Sequence, residues 1–318
     1  MQLKEALENF LTFCEEEKNL SPHSIRAYRA DLKNFSKVVG ENSDIAQLSA
    51  AWIEKSAQLW LKDPGLKKAS VKRRVACIKS MVRWLFRRRH IKSNPLESLD
   101  LEIKLPKRLP RNLQTNEIKS LMGRDPETTP SSFSKPAQRL TPRQQWNYLT
   151  ARLAIEVMTL TGVRVGELVR IKRPLIDLTF QQIRILGKGN RERQVSFPDS
   201  LTIERLEKYH RQMLLRFGQG DHDVLFVNGL GRPANEQYIR RIVRQYAKFS
   251  ELHRHVTPHM LRHTAATQLL EAGVDMRYVQ RILGHASITT TEIYTYVADH
   301  ALRLEVSRAN VRRRLEMN

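Results

Sequence analysis

Arg164, Lys188, His259, Arg262, His285 and Tyr294 lie far apart in the chain, and each stands in a distinctive local setting. The settings are Thr161-Gly162-Val163-Arg164-Val165-Gly166-Glu167-Leu168, Gly187-Lys188-Gly189-Asn190, His259-Met260-Leu261-Arg262-His263-Thr264, Leu283-Gly284-His285 and Thr290-Thr291-Glu292-Ile293-Tyr294. Five of the six side chains can be cationic, and the sixth carries a nucleophilic hydroxyl. Arginine stays charged and donates two parallel hydrogen bonds to an oxyanion. A phenol, with a pKa of about 10, attacks well only beside a base or beside cations that stabilise its anion. Such a set suits an anionic ester, where charge grows on the non-bridging oxygens in the transition state. His259, Arg262 and His263 share one helix face, so a single helix can offer two or three donors to one phosphate. Glu167, one turn after Arg164, is placed to orient that guanidinium.

The chain has 318 residues and suits two domains of ordinary size. Its net charge of +22 predicts a polyanionic partner, with DNA, RNA and an anionic membrane all open on charge alone. No apolar run approaches the length of a membrane span, and the amphipathic, acidic N-terminus does not read as a signal peptide. Cys14 and Cys77 fall at apolar helical positions, which predicts buried thiols and a reducing, cytoplasmic setting.

Residues 1 to about 100 read as helical. Leu3, Leu7, Phe10, Leu11 and Cys14 form one stripe. Ser21-Pro22 opens a second helix striped by Ile25, Tyr28, Leu32, Phe35 and Val39, and Gly40 stops it. A third helix covers about 50–62 and a fourth about 70–90. On the fourth, Val71, Val75, Ile78, Val82 and Leu85 line one face, with Lys72, Lys79, Arg83 and Arg87 beside it. No acid interrupts Lys72 to Lys92, and unbroken single-sign charge of that length favours phosphate contact over a merely solvated face.

Residues 104–112 read as a basic linker held extended by two prolines, with Lys107 and Arg108 able to follow a DNA backbone. Thr115 is expected to cap a short helix, and 123–145 to form a loop. Helix resumes over about 146–160. Gln182–Leu186 and Arg191–Phe197 alternate as strands around a Gly187–Asn190 hairpin. Val224–Val227 offers one more short strand, Thr257 and Pro258 open the helix of Arg262, and 301–318 forms a tail helix. Six further tyrosines, Tyr28, Tyr148, Tyr209, Tyr238, Tyr246 and Tyr278, are assigned to packing.

Taken in order, the six settings resemble the active site of the tyrosine recombinases, nearest the Xer-like and phage-type integrase branch. Leu20-Ser21-Pro22-His23-Ser24, followed by Tyr28 and Leu32, is similar to the start of that family's core-binding domain. The resemblance runs over nearly the whole chain. It implies a mainly helical fold with a small antiparallel sheet in the catalytic domain, arranged as a two-domain DNA clamp. The domains implied are a helical, SAM-like core-binding domain over 1–103 and a catalytic domain over 113–300.

The resemblance also implies roles. Tyr294 is the nucleophile and forms a 3′-phosphotyrosyl link to DNA. Arg164, Arg262, His259 and His285 stabilise the phosphate, with His259 the general base. Lys188 protonates the leaving 5′-oxygen, and Glu167 and His263 support the arginines. Tyr296 stands where relatives have histidine, two residues beyond the nucleophile. The protein–DNA ester conserves bond energy, so neither ATP, a metal nor another cofactor is required. The implied partners are double-stranded DNA with a specific recombination site, a homotetramer on paired sites, and an accessory DNA-binding protein or partner recombinase. The tail is expected to dock on a neighbouring subunit. Chromosome-dimer resolution, cointegrate resolution and mobile-element integration or excision all use this active site.

Three other readings fit parts of the pattern. His259 and His263 have the spacing of two zinc ligands, but the acid that follows the first histidine in a zinc protease motif is absent. An architectural DNA-binding protein explains the charge and not the ordered set around Tyr294. A type IB topoisomerase shares the chemistry, but the helical N-terminal module favours a recombinase.

Overall fold

The computed structural model describes residues 1–106, 112–123, 140–186, 192–218, 220 and 223–284. The chain divides between residues 108 and 109 into two compact units.

The first unit is helical. It contains α1 (Leu3–Glu16), α2 (Pro22–Val39), α3 (Ala50–Lys62) and α4 (Lys68–Arg87). Ser21 caps α2 by accepting from the Ser24 N–H at 3.3 Å, with Pro22 as the first helical residue. Gly40 closes the same helix at φ 107°, a conformation costly for any other residue. The apolar stripes meet in one core that includes Leu3, Phe10, Phe35, Ile53, Ile78 and Leu85, all fully buried. Full burial of one such side chain is worth about 1.5–3 kcal/mol, so the stripes and not local propensity hold the unit together. The Phe10 ring lies 6.2 Å from Tyr28 and 5.6 Å from Trp84, joining α1, α2 and α4. Cys14 and Cys77 are both buried, and burial pushes both thiols up, so neither is a thiolate at neutral pH.

One buried charge in this unit escapes the apolar pattern. Asp31 of α2 is 1% exposed and pairs with Arg73 and, at 3.9 Å, with Arg74 of α4. Burial raises its carboxyl pKa, and the two guanidiniums work against that rise.

The second unit contains α5 (Thr115–Gly123), α6 (Pro142–Thr161), α7 (Val165–Leu168), α8 (Ser200–Phe217), α9 (Glu236–Phe249), α10 (Pro258–Glu271) and α11 (Met276–Leu283). Helices α6 and α10 are apolar or buried on nearly every side and run through its centre. Trp146 of α6 stacks on Tyr209 of α8 at 4.8 Å, and the Tyr209 hydroxyl lies 3.1 Å from Thr150 Oγ1. The strands β1 (Ile176–Asp177), β2 (Gln182–Leu186) and β3 (Glu192–Ser196) form an antiparallel sheet in that order. Ile183 pairs with Val195 and Ile185 with Arg193, which puts Arg193 on the face that Ile183, Ile185 and Val195 bury.

Several expectations are corrected. Helix α6 starts at Pro142, not near 146, because Thr141 and Gln144 form a reciprocal capping box before it. The last residues of the expected 123–145 loop are therefore helical, while 124–139 lie outside the described residues. Helix α5 begins at Thr115 itself, and Glu117 reaches back to accept from the Gln114 N–H at 2.8 Å. Val224–Val227 makes isolated bridges to Lys172 and Pro233 in place of a strand, since it has a single paired residue at each end. β1 is an added strand, too short for alternation to reveal. Tyr278 is 64% exposed and is not a packing residue. No helix among the described residues is long and apolar enough to cross a membrane.

Candidate active site

The site begins where α6 stops. Gly162 ends α6 in the left-handed region at φ 66°, and a Cβ there would fall 2.3 Å from Leu283 Cδ2. Glycine answers both the turn and the close approach of α11. Two residues later Arg164 occupies the N-cap of α7 in extended backbone. Its N–H donates to Glu167 Oε2 at 2.8 Å, and its Nη1 donates to Glu167 Oε1 at 2.9 Å. The same guanidinium donates to the carbonyls of Gly284 at 3.0 Å and Leu283 at 3.4 Å. Its side chain is still 44% exposed, so it is oriented from behind and open in front.

Helix α10 supplies the second arginine. Thr257 accepts from the Met260 N–H at 3.3 Å, and Pro258 is the first helical residue, as the sequence predicts. Arg262 is 6% exposed and donates to the Gly162 carbonyl at 2.5 Å and the Leu283 carbonyl at 2.7 Å. His259, one turn earlier, is exposed. His263 faces the interior, and burial together with nearby His259 lowers its pKa to about 4. It is therefore neutral at physiological pH and is not a cationic donor of this helix. Thr264 fastens the start of this unit to α10, accepting from the Leu113 N–H at 2.8 Å and donating to the Met260 carbonyl at 2.9 Å.

A third arginine, absent from the sequence-derived set, completes the cluster. Arg193 of β3 donates Nη1 to Glu167 Oε1 at 3.0 Å and Nη2 to Glu167 Oε2 at 2.8 Å. Its Nε donates to the Ile282 carbonyl at 3.0 Å. Burial alone would push the Glu167 carboxyl up, but hydrogen bonds from Arg193 and Arg164 hold it down at about 2. Strand alternation carries the missing signal. Arg193 is two residues before Val195 and four before Phe197, both inward, and an inward charge demands a partner.

Three guanidiniums thus converge on the last carbonyls of α11, those of Ile282, Leu283 and Gly284. That end carries the negative pole of the helix and its unpaired acceptors, so cations are the natural partners. Among the described residues of this cluster, three guanidiniums gather around one carboxylate, a balance of charge suited to an anionic transition state.

Lys188, His285 and Tyr294 lie outside the described residues, as do Lys107, Arg108 and the 301–318 tail. In the first unit Lys72, Arg83 and Arg87 are exposed on α4. Lys79 is half-buried, and its Nζ reaches the Leu101 carbonyl at 3.4 Å.

The chain also compares closely with known proteins. The phage integrase family model matches residues 112–301, and the phage integrase N-terminal SAM-like domain matches residues 7–89. A tyrosine recombinase XerD of Halalkalibacterium halodurans is 35% identical over 311 residues, covering 93% of this chain and 94% of that protein. A tyrosine recombinase of Agathobacter rectalis is 32% identical over 297 residues, covering 93% of each. Among solved structures, XerH site-specific recombinase bound to palindromic difH substrate matches with a TM-score of 0.70 at 22% identity, over 97% of this chain and 85% of that one. The fold, the paired arginines and these relatives agree: the chain belongs to the phage integrase family, the tyrosine recombinases.

Proposed function

We propose that this tyrosine recombinase cuts and rejoins duplex DNA at a specific site through a 3′-phosphotyrosyl link to Tyr294. The observation that carries the reading is the convergence of Arg164 and Arg262 on one carbonyl, that of Leu283, immediately before Gly284 and His285. Two guanidiniums fixed by the same backbone oxygen bring two permanent charges to one point, as a scissile phosphate requires.

In this reading Tyr294 Oη attacks the phosphorus and the 5′-oxygen of the next nucleotide leaves. His259 takes the phenol proton, and Lys188 gives one to the departing oxygen. Arg164, Arg262 and His285 stabilise the phosphorane-like charge, with Glu167 and His263 in support. The 5′-hydroxyl of a second duplex then attacks the phosphotyrosine and restores a phosphodiester. Repeating the exchange on the other strands passes through a Holliday junction, so the working unit is a homotetramer on paired sites. Residues 1–103 bind DNA through Lys72, Lys79, Arg83 and Arg87, and the 104–112 linker adds Lys107 and Arg108. The tail after residue 300 docks in trans. The protein acts in the cytoplasm, in integration, excision or resolution, with an accessory DNA-binding protein or a partner recombinase.

The test uses a duplex selected from a random library for tight binding and nicked beside the cleavage position to trap the adduct. Wild type, Tyr294→Phe and Tyr296→Phe are incubated with it in EDTA. A covalent adduct lost only in Tyr294→Phe is the expected result. Loss only in Tyr296→Phe moves the nucleophile, and tight binding with no adduct from any of the three overturns the catalytic reading.

A further inference from the structure

Arg193 is the one member of the arginine cluster to which neither the motif set nor the proposed mechanism gives a task. Its side chain is 14% exposed, against 44% for Arg164. All three of its nitrogens are committed: Nε to the Ile282 carbonyl and the two Nη atoms to the two Glu167 oxygens. It is thereby turned towards the groups that hold Arg164. The backbone accommodates it closely, since a Cβ on Gly284 would lie 3.1 Å from Arg193 Nη1.

We propose that Arg193 is a positioning residue for strand cleavage, acting through Glu167 and the end of α11 on Arg164. This rests on the recombinase reading above. Glu167 has one buried carboxylate and two arginine partners. With Arg193 present, the carboxylate is shared between two guanidiniums, and Arg164 keeps more of its field for the phosphate. With Arg193 gone, the carboxylate and Arg164 form an isolated pair, and the charge presented to the phosphate falls. The Ile282 carbonyl is freed at the same time, and with it the register of the Leu283 and Gly284 carbonyls that orient Arg164. Three acceptors matched by three donors at fixed angles also explain arginine here in place of lysine, whose single nitrogen cannot reproduce the fork.

The experiment measures DNA affinity and the single-turnover rate of adduct formation separately, on the nicked duplex, for wild type, Arg193→Met, Arg193→Lys, Glu167→Gln and Arg193→Met/Glu167→Gln. Arg193→Met should bind DNA within about twofold of wild type and form adduct about a hundredfold more slowly, the scale set by a small misplacement of a catalytic group. Arg193→Lys keeps the charge without the fork and should recover about tenfold of that loss. In the Glu167→Gln background, Arg193→Met should cost far less than in wild type, because the carboxylate it neutralises is gone. Three results would overturn the proposal. One is a wild-type rate in Arg193→Met. Another is strict additivity of the two substitutions. The third is a parallel loss of affinity and rate with a shallower salt dependence, which would make Arg193 a direct DNA contact. If Arg193→Met does not fold, Arg193→Lys decides, and a wild-type rate there overturns the idea. Absence of adduct from wild type itself strikes the recombinase reading and leaves the geometry of Arg193 untouched.

Discussion

Glu167 is 4% exposed at its side chain, yet it stays ionised because two guanidiniums and a backbone N–H donate to it. Its depressed pKa, about 2 against an ordinary 4.5, ties that ionisation to stability. The contribution is fully present above the ordinary value and is lost as pH falls towards about 2. Glu167→Gln should therefore cost about 3 kcal/mol near neutrality. The gap in melting temperature between the two proteins should close as pH drops from about 5 to 2. A gap that stays constant with pH would show that Glu167 acts through packing alone. At this scale the sequence shows Arg164, Glu167, His259 and Arg262 well, because each sits beside a turn or cap that announces its place. Arg193 and Asp31 stay hidden. Their partners come from other elements, α7 and α11 for Arg193 and α4 for Asp31, and nothing local to either residue names them.

Helices are legible wherever one face is apolar and the other is not. The stripes of α1 and α4 fall on their buried faces, with Cys77, Met81 and Trp84 widening that of α4, while in α2 Ile25, Leu32 and Phe35 are buried and Tyr28 and Val39 half-buried. The start of α6 escapes the pattern because its Thr141-Pro142 signal sits in a polar stretch where no stripe has yet begun. Val224–Val227 reads as a strand because apolar runs look alike whether or not a partner lies alongside. The outer face of α4 carries its own prediction. Lys72, Arg83 and Arg87 are exposed and have room for phosphate, whereas Arg73 and Arg74 are held by Asp31. Replacing the first three by Gln should flatten the plot of log affinity against log salt by about 0.9 for each phosphate that is no longer neutralised. The same replacement at Arg73 should change the melting temperature more than the salt slope. Equal slopes for all these variants would remove α4 from the DNA interface.

On the scale of the whole chain, the division between residues 108 and 109 separates the apolar core of the first unit from the apolar clusters of the second. The first draws on all four helices before the division and on Ile91 and Ile103 after them. A fragment ending at residue 106 should therefore show helical circular dichroism and a cooperative melt by itself. A fragment that is unfolded at about 25 °C, while the full chain is folded, would show that the first core depends on the second. The two-domain plan is readable because a proline-bearing basic stretch lies between two regions that each carry their own apolar pattern. The internal order of the second unit is less readable, since α6 and α10 are buried on nearly all sides and lack the contrast that periodicity needs.

All that the three arginines take from the end of α11 is peptide oxygens. Ile282 is half-buried and lends the cluster only its carbonyl. Over evolutionary time its side chain is free to drift among residues that keep a helix. Gly284 has no such freedom, because its left-handed turn at φ 65° sets where the acceptors point and its missing Cβ leaves room for Arg193. A tolerant position two residues from an intolerant one is the mutational signature of a site that reads the shape of the main chain.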